Sequence, residues 1–480
     1  MNRLWIVLAA ALLSQAAARA EVTLPSFFTD NMLLQQQSRA ALWGTATPNR
    51  MVRVKTSWNN RETKVMADEQ GSWKCYVETP VAGGPYYIVF NDGQEKVLEN
   101  VMIGELWFCS GQSNMEQPMK GYTSQSIENA ERDIFLSTDA SLRLFTVSRA
   151  AKDEPQSDVV GRWAEAEPSV VQDFSATAYY FGRFLRQALQ VPVGLIVSSW
   201  GGTPAQAWTS GEYLADFPEY PVPQAGQRFT GNTPSALYNG MVHPFLGLTM
   251  RGVIWYQGES NYERPDLYAR LFTKMVQCWR ENWGIGEFPF YYCQIAPYDY
   301  SIITKSGEPV INSAYLREAQ LQAEEMIPNS AMVVLMDGGL KGGIHPRKKQ
   351  LAGERLAMKA LAGTYGFKIP VESPRLASME LRDSVAVLTF DHSPKYLDCT
   401  RGELQWFTIA GEDSIFYPAQ AKIKWNSNII EVQAPQVARP VAVRYAFSNW
   451  ADGDLFGQNG WPVSSFRTDD WPIKPECIKE

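Results

Sequence analysis

The sequence predicts an α/β fold in which a doubly wound sheet is flanked by an N-terminal and a C-terminal β domain. Three observations lead to this prediction. Short strands with alternating apolar residues occupy residues 21–100, apolar strands then alternate with helical patterns over residues 101–368, and the alternation of period two returns over residues 369–480. A period of two is typical of half-buried strands, whereas strands alternating with helices indicate βαβ units and a mainly parallel sheet.

The first twenty residues have the pattern of a secretory signal peptide. Arg3 provides a positive start, the apolar run from Leu4 to Leu13 is shorter than a membrane span, and Ala18-Arg-Ala20 resembles a cleavage site. We therefore expect an exported protein, periplasmic or extracellular, whose mature chain begins at Glu21 and contains no membrane span.

The N-terminal region after this segment is predicted to form a small β-sandwich. Its strands are short, alternate strictly and are separated by turn residues. They are predicted at Ala40–Gly44, Val52–Thr56, Ser72–Val77 and Tyr86–Phe90. Nothing in this region resembles a catalytic motif.

The middle of the chain alternates strand and helix patterns. The strands are predicted at Leu106–Cys109, Val193–Val197, Gly252–Tyr256, Pro289–Ile295 and Ala331–Met336. The helices are predicted at Phe174–Gln190, Leu267–Trp283, Ala314–Met326 and Lys348–Ala362. In sheets of this kind, ligands bind beyond the carboxyl ends of the strands.

The C-terminal region returns to short alternating strands, which predict a second β domain. These strands are Val385–Phe390, Leu404–Ile409, Ala421–Trp425, Ile429–Val432 and Val441–Tyr445.

Polar or glycine-rich turns follow four of the central strands. They contain Ser113, Ser198–Gly202, Gln257–Asn261 and Asp337–Gly339, and His345 follows a few residues after the last of these turns. Because the carboxyl ends of parallel strands meet at one edge of a sheet, we expect these turns to converge there.

Ser113 and His345 are the predicted nucleophile and general base. A serine at a sharp turn from strand to helix exposes its hydroxyl group and directs backbone N–H groups to one spot, and a histidine has a pKa suited to accepting its proton. The alternative interpretations are a helix cap for Ser113 and a surface loop residue for His345. Of the other two histidines, His243 is expected to be structural and His392 incidental.

The remaining candidate residues surround this pair. Gly201 and Gly202 could present backbone N–H groups to an oxyanion, and Gln257 could add an amide donor. Their alternative role is to form a tight turn. Glu259 is expected to be a buried, paired carboxylate rather than an acid catalyst. Asn114 and Asn261 are expected to support the groups that contact substrate.

Four sequence blocks follow each other along the chain: Ser110-Gly-Gln-Ser-Asn-Met-Glu116, Ser199-Trp-Gly-Gly-Thr203, Gly252-Val-Ile-Trp-Tyr-Gln-Gly-Glu-Ser-Asn261 and Ile344-His-Pro346. Together they resemble the ordered blocks of the sialate O-acetylesterase family, a branch of the SGNH hydrolases. The segments Leu24–Gln35, Pro440–Tyr445 and Ser465–Asp469 resemble the family's opening and close.

This resemblance implies an SGNH-type α/β domain that hydrolyses acetyl esters on carbohydrate. It implies Ser113 as nucleophile, His345 as base, and the N–H groups of Ser113 and of a glycine in the Trp-Gly-Gly turn as oxyanion donors. It implies no metal cofactor, and three histidines would not readily form a zinc site.

The sequence departs from the family pattern before His345. SGNH enzymes commonly have an aspartate three residues before the histidine, where this chain has Gly342. A Ser–His dyad is therefore expected, with a backbone carbonyl as one possible partner of the imidazole. Asp337 is the other possible partner, and its alternative role is simply to end a strand.

Three functions are left open by these motifs. The first is a serine esterase that removes O-acetyl groups from sialic acids, and the second is an acetylesterase acting on xylan or another polysaccharide. The third is a carbohydrate-binding protein without catalysis. The flanking β domains and the 16 tryptophans would suit that role, but an intact Ser113 and His345 argue against it. The net charge of −7 argues against nucleic acid as the main partner.

Overall fold

The computed structural model describes residues 21–224, 226–473 and 478. The predicted signal peptide and Cys477 lie outside this part of the chain. Within it, no helix combines the length and the apolar character that crossing a membrane requires.

The predicted strands and helices occur in the predicted order, together with further short strands and helices that were not predicted. The strands are β1 Leu33–Gln35, β2 Arg39–Thr45, β3 Met51–Thr56, β4 Glu62–Met66, β5 Ser72–Glu78, β6 Gly83–Asn91, β7 Glu95–Gly111, β8 Asp139–Thr146, β9 Trp163–Ala166, β10 Val193–Ser199, β11 Gly252–Tyr256, β12 Phe290–Cys293, β13 Ser330–Val333, β14 Arg375–Arg382, β15 Val385–Asp391, β16 Leu397–Cys399, β17 Phe407–Ala410, β18 Phe416–Pro418, β19 Gln420–Ile423, β20 Ile429–Gln433, β21 Ala442–Tyr445, β22 Leu455–Gly457 and β23 Phe466–Arg467. The α-helices are α1 Ser113–Glu116, α2 Ala130–Phe135, α3 Pro168–Val171, α4 Ala176–Leu189, α5 Gly211–Leu214, α6 Pro265–Trp283, α7 Ala314–Met326 and α8 Lys349–Gly363.

Strand β7 connects the N-terminal region to the central sheet. Its first half pairs antiparallel with β6, whereas its second half lies between the parallel strands β10 and β11. The central strands follow the order β13-β12-β11-β7-β10-β8-β9. The predicted boundary between residues 100 and 101 therefore falls inside one continuous strand of 17 residues.

Helices cover both faces of the central sheet, as predicted. Leu106 and Phe108 of β7 belong to the same apolar core as residues of α6 and α7. Trp107 and Cys109, which alternate with them, belong to a second core with residues of α4 and α8. A strand buried on both faces reads as a continuous apolar run, which is why this strand was recognisable from the sequence.

Two strands on one side of the central sheet, β8 and the edge strand β9, are absent from the sequence-based prediction. Strand β8 pairs parallel with β10, and β9 pairs antiparallel with β8. The buried Arg143 interrupts the apolar pattern of β8; its guanidinium donates to the carbonyl oxygens of Asn31 and Asn100 and pairs with Glu165. A charged residue in a buried strand hides the period on which the prediction depends.

The flanking regions are β structures in which more than one sheet packs together. In the N-terminal region the two-stranded sheet β2–β5 covers β3 and β6, with the rings of Trp73 and Phe90 5.8 Å apart. The C-terminal region contains the four-stranded sheets β14-β15-β20-β19 and β18-β17-β21-β23 and the pair β16–β22. The predicted class, an α/β sheet with β structure on either side, is confirmed.

Candidate active site

Ser113 begins helix α1 immediately beyond the end of β7. Gly111 allows this turn because it has a φ of +139° and because a Cβ there would lie 2.2 Å from the carbonyl oxygen of Tyr256 on the neighbouring strand β11. The backbone N–H of Gln112 donates to that same oxygen at 3.0 Å. The close approach of the two strands therefore forces a sharp turn and leaves Ser113, half-buried, at the carboxyl edge of the sheet.

Two backbone N–H groups near Ser113 lack an acceptor among the described residues. One is the N–H of Ser113 itself, which lies in the first helical turn where no intrahelical acceptor exists. The other belongs to Gly202, which has a φ of +75°. Unused N–H groups beside a serine hydroxyl are the donors that an oxyanion needs.

The N–H of Gly201, in contrast, already has an acceptor and is not free to bind an oxyanion. It donates to Oε2 of Glu116 at 2.9 Å. A Cβ at Gly201 would lie 3.1 Å from Cβ of Ser113, so the turn is packed directly against Ser113. Of the two predicted glycine donors, Gly202 is the one whose N–H remains free for an oxyanion.

His345 lies in the loop between β13 and α8 and contacts an amide. Its Nδ1 hydrogen bonds Oε1 of Gln125, and its ring packs edge-on against Tyr122 with the centroids 5.4 Å apart. Because an amide oxygen only accepts hydrogen bonds, Nδ1 carries the proton and Nε2 keeps its lone pair. Within the described chain no side-chain hydrogen bond is formed by Ser113 Oγ or by His345 Nε2, which leaves both atoms available for reaction.

Burial, and after it the positive charge of Lys349, together lower the pKa of His345 to about 4. The imidazole is therefore neutral at pH 7 and able to accept a proton.

The expectation that Asp337 orients the imidazole needs correction. Its carboxylate forms a bidentate ion pair with Arg355, with both Nη–Oδ distances at 2.7 Å. The atom that contacts His345 Nδ1 is the amide oxygen of Gln125, which lies 220 residues earlier in the chain. This chain has Gly342 where related enzymes commonly have an aspartate, and the imidazole of His345 instead has a neutral partner, the amide of Gln125, from another loop.

A buried polar network connects the turn that contains Ser113 to the loop that contains His345. Asn114 donates through Nδ2 to Glu259 Oε1 and to the carbonyl oxygen of Ile344 at 3.1 Å, and its Oδ1 accepts from Lys349 Nζ. Asn114, Glu259 and Lys349 are each at most 5% exposed. Burial raises the pKa of Glu259 and lowers that of Lys349 to about 7. The residue after Ser113 is in this way joined to the residue before His345.

Gln257 and Asn261 have structural contacts rather than free donors. The amide of Gln257 donates to Asn261 Oδ1 at 2.7 Å and to the carbonyl oxygen of Thr203 at 3.3 Å, and the side chain is fully buried. Asn261 Oδ1 also accepts from the N–H of Ala205 at 2.8 Å. The predicted oxyanion role of Gln257 therefore needs correction, because both of its amide hydrogens hold adjacent turns together.

The other two histidines differ from His345. Nδ1 of His243 contacts the carbonyl oxygen of Gln156 at 2.8 Å, which suits the structural role expected for it. His392 lies at a turn after β15, with a φ of +59°. In the described residues, no group of three or more His, Cys, Asp or Glu side chains could hold a metal ion.

Five residues close to the site were not identified from the sequence. They are Glu116, Tyr122, Gln125, Arg149 and Lys349. Glu116 lies within a motif that was recognised, and Lys349 comes four residues after His345 at the start of α8, so both positions offered a signal. The other three act through contacts between distant segments, which sequence spacing does not reveal.

Comparison with known proteins agrees with this arrangement. Residues 103–361 match the family described as "Carbohydrate esterase, sialic acid-specific acetylesterase". The chain is 30% identical to the sialate O-acetylesterase of Pongo abelii, with 88% of this chain and 87% of the relative covered, and the Homo sapiens enzyme gives the same values. A solved carbohydrate acetylesterase from Xanthomonas citri has a TM-score of 0.85 and 33% identity, and covers 94% of this chain and 100% of its own.

Proposed function

This chain belongs to the sialic acid-specific acetylesterase family of carbohydrate esterases, and on that premise we propose that it removes O-acetyl groups from sialic acids by a Ser113–His345 mechanism. The proposal is supported most directly by one observation. A neutral histidine with its Nδ1 proton held by Gln125 shares the carboxyl edge of the sheet with Ser113, whose own backbone N–H and that of Gly202 have no acceptor in the described residues.

The first half of the proposed reaction acylates the enzyme. Ser113 Oγ attacks the acetyl carbonyl carbon while His345 Nε2 takes the hydroxyl proton, and the carbonyl electron pair moves to oxygen. The N–H groups of Ser113 and Gly202 donate to this oxyanion. As the intermediate collapses, the bond between the acetyl carbon and the sugar oxygen breaks, and the imidazolium protonates that oxygen.

The second half releases acetate. Water attacks the acetyl-serine while His345 accepts one of its protons, and the same two N–H groups stabilise the second oxyanion. Collapse breaks the Oγ–carbon bond, and the proton returns from the imidazolium to Ser113. No further reactant is needed, because the net reaction is ester plus water giving alcohol and acetic acid.

The decisive experiment compares acetate release by wild type and Ser113→Ala on O-acetylated sialic acids and on acetylated xylan. We expect release from the sialic acids by the wild type, and a loss of about 10⁴-fold or more in the variant with the fold intact, because the nucleophile is gone. Circular dichroism checks the fold of both proteins.

Each other outcome of this comparison is informative. Preference for acetylated xylan would keep the mechanism and assign the protein to polysaccharide deacetylation. Ser113→Ala with most of its activity retained would refute the assigned nucleophile. No release by folded wild type from either substrate would favour a non-catalytic carbohydrate-binding role.

Export is part of the proposal and is supported by the sequence of residues 1–20. If the segment is a signal peptide, N-terminal sequencing of the protein recovered outside the cytoplasm should begin at Glu21. The proposed domains are those predicted from the sequence, residues 21–100, 101–368 and 369–480, with β7 running across the first boundary. The second domain contains the proposed catalytic residues.

A further inference from the structure

The carboxylate of Glu116 lies one helical turn after Ser113 and connects three other segments. Its Oε1 accepts from Arg149 Nε, and its Oε2 accepts from Arg149 Nη2, both at 2.7 Å. Oε2 also accepts from the backbone N–H of Gly201 at 2.9 Å and from the hydroxyl group of Tyr122 at 3.2 Å. One side chain on the nucleophile helix thus contacts the turn after β10, the loop after α1 and the segment after β8.

The contact with Gly201 sets the position of the glycine turn. A Cβ at Gly201 would lie 2.9 Å from Oε2 of Glu116 and 3.1 Å from Cβ of Ser113, so the turn is packed between the carboxylate and the nucleophile. Because Gly202 is the next residue, holding the N–H of Gly201 also fixes where the free N–H of Gly202 lies relative to Ser113.

The contact with Tyr122 extends this restraint towards the histidine. The ring of Tyr122 packs edge-on against His345, and three residues later the same loop supplies Gln125, whose amide oxygen contacts His345 Nδ1. The Glu116 carboxylate therefore restrains segments on both sides of Ser113, one with the oxyanion donor and one that holds the base.

A negative charge so close to a forming oxyanion would oppose the reaction unless it were neutralised. Arg149 supplies the compensating charge through a bidentate pair, the strongest geometry that these two side chains can form. Its guanidinium lies 5.5 Å from the ring centroid of Trp200, the residue before Gly201, and the bonds to Glu116 raise the pKa of Arg149. The guanidinium therefore stays charged, while its side chain is half exposed to solvent.

We propose that Glu116 is a positioning residue for the oxyanion site and that Arg149 neutralises its charge, so that the pair holds the Gly201–Gly202 turn against Ser113 without repelling the oxyanion. This inference rests on the proposed function, because it takes Ser113 as the nucleophile. It adds a role for two residues that do not react with substrate.

The test uses a double-mutant cycle with 4-nitrophenyl acetate, which needs no sugar recognition. The variants are Glu116→Gln, Arg149→Met, the double variant and Glu116→Ala, with kcat and KM measured separately and folding followed by thermal unfolding. Glu116→Gln keeps an acceptor oxygen for Gly201 but carries no charge, whereas Arg149→Met leaves the carboxylate uncompensated.

Charge compensation by Arg149 predicts that the double variant is more active than Arg149→Met alone. We expect kcat to fall about 10- to 100-fold in Arg149→Met and to recover most of that loss in the double variant, because the uncompensated charge is then removed. Glu116→Gln should stay within about threefold of wild type, and Glu116→Ala should lose about 10- to 100-fold in kcat with little change in KM.

A matched control comes from the Glu105–Arg251 pair, which is also bidentate but lies at the other end of the parallel part of β7. Glu105→Gln and Arg251→Met should lower the unfolding temperature without changing kcat. A double variant no more active than Arg149→Met would overturn the charge compensation, and a fully active Glu116→Ala would overturn the positioning role. A folded wild type that lacks Ser113-dependent esterase activity would overturn the proposed function and this inference together.

Discussion

His345 has a neutral amide beside Nδ1, where serine hydrolases with a triad have a carboxylate. The amide of Gln125 holds the proton on Nδ1 but cannot raise the basicity of the ring through charge. Burial and the charge of Lys349 both lower the pKa, to about 4. The imidazole therefore remains unprotonated into acidic solution but is a weaker proton acceptor.

The effect of Lys349 on His345 gives a test by pH. In wild type the acid limb of kcat/KM should fall near pH 4, because protonation of His345 removes the base. Lys349, whose pKa is about 7, is protonated throughout this range. In Lys349→Met the histidine loses a repelling charge, so its pKa rises and the acid limb moves to higher pH, towards the ordinary value of 6.5. The measurement is kcat/KM against pH with 4-nitrophenyl acetate.

The neighbouring lysine provides the control for that measurement. Lys348 is exposed, so Lys348→Met changes the net charge equally without removing a buried cation. Its acid limb should coincide with that of wild type. An acid limb that does not move in folded Lys349→Met would show that this charge does not act on the base.

The junction between β7 and α1 is the element that brings Ser113 to the edge of the sheet. Its geometry depends on the space between two strands, since β7 and β11 approach so closely at Gly111 that no side chain fits. The buried Gln112 that follows accepts from the N–H groups of Gly258 and Ser260 at 3.2 and 3.1 Å. The turn after β7 and the turn after β11 are therefore built as one unit.

Substitution of Gly111 should disrupt this unit. Gly111→Ala combines a left-handed backbone conformation, which costs about 1–2 kcal/mol, with overpacking against Tyr256, which costs about 1–3 kcal/mol more. We expect a clear decrease in the urea midpoint and loss of esterase activity. Gly284 has a φ of +70° but nothing within 4 Å of its Cβ position, so Gly284→Ala should show the smaller cost alone and stay active. Equal midpoints for the two variants would contradict the role given to the strand contact.

Across the whole molecule, the C-terminal β region is attached to the central domain through buried polar contacts. Arg317 of α7 is fully buried and donates to Ser465 Oγ at 3.0 Å and to the carbonyl oxygens of Ala446 and Ser448. Burial lowers its pKa to about 10, which still leaves it charged at neutral pH. A buried cation that satisfies carbonyl groups of another region specifies how the two regions pack.

Removal of this guanidinium should weaken that packing. Arg317→Met leaves buried acceptors unpaired, each at a cost of about 1–3 kcal/mol, so we expect a lower unfolding temperature and faster proteolysis within residues 369–480. Arg382→Met removes an exposed arginine of β14 and should change neither measurement. Proteolysis that is equally slow in Arg317→Met and wild type would argue against this attachment.

Local pattern was sufficient for the fold class and for the position of the main candidates. Buried strands and amphipathic helices show their periods in the sequence, so β10, β11 and the helices α4, α6, α7 and α8 were located to within a few residues. For β7 the second half was located and the first half was missed. The same patterns placed Ser113 after a strand and His345 before a helix, because turns are confined to strand and helix ends. Strand β8 escaped because the buried Arg143 breaks its apolar period, and β9 escaped because its four residues do not alternate between buried and exposed.

Contacts between distant segments were determined by folding alone. Gln125, rather than Asp337, forms the hydrogen bond with His345. The carboxylate of Glu116 accepts from the N–H of Gly201, and the amide of Gln257 connects two turns through its hydrogen bonds. Each of these outcomes depends on which side chains come within about 3 Å once the sheet has formed, whereas a period in the sequence specifies only which face of an element is buried. Hydrogen-bond partners are chosen by distance and direction in three dimensions, and sequence spacing contains neither.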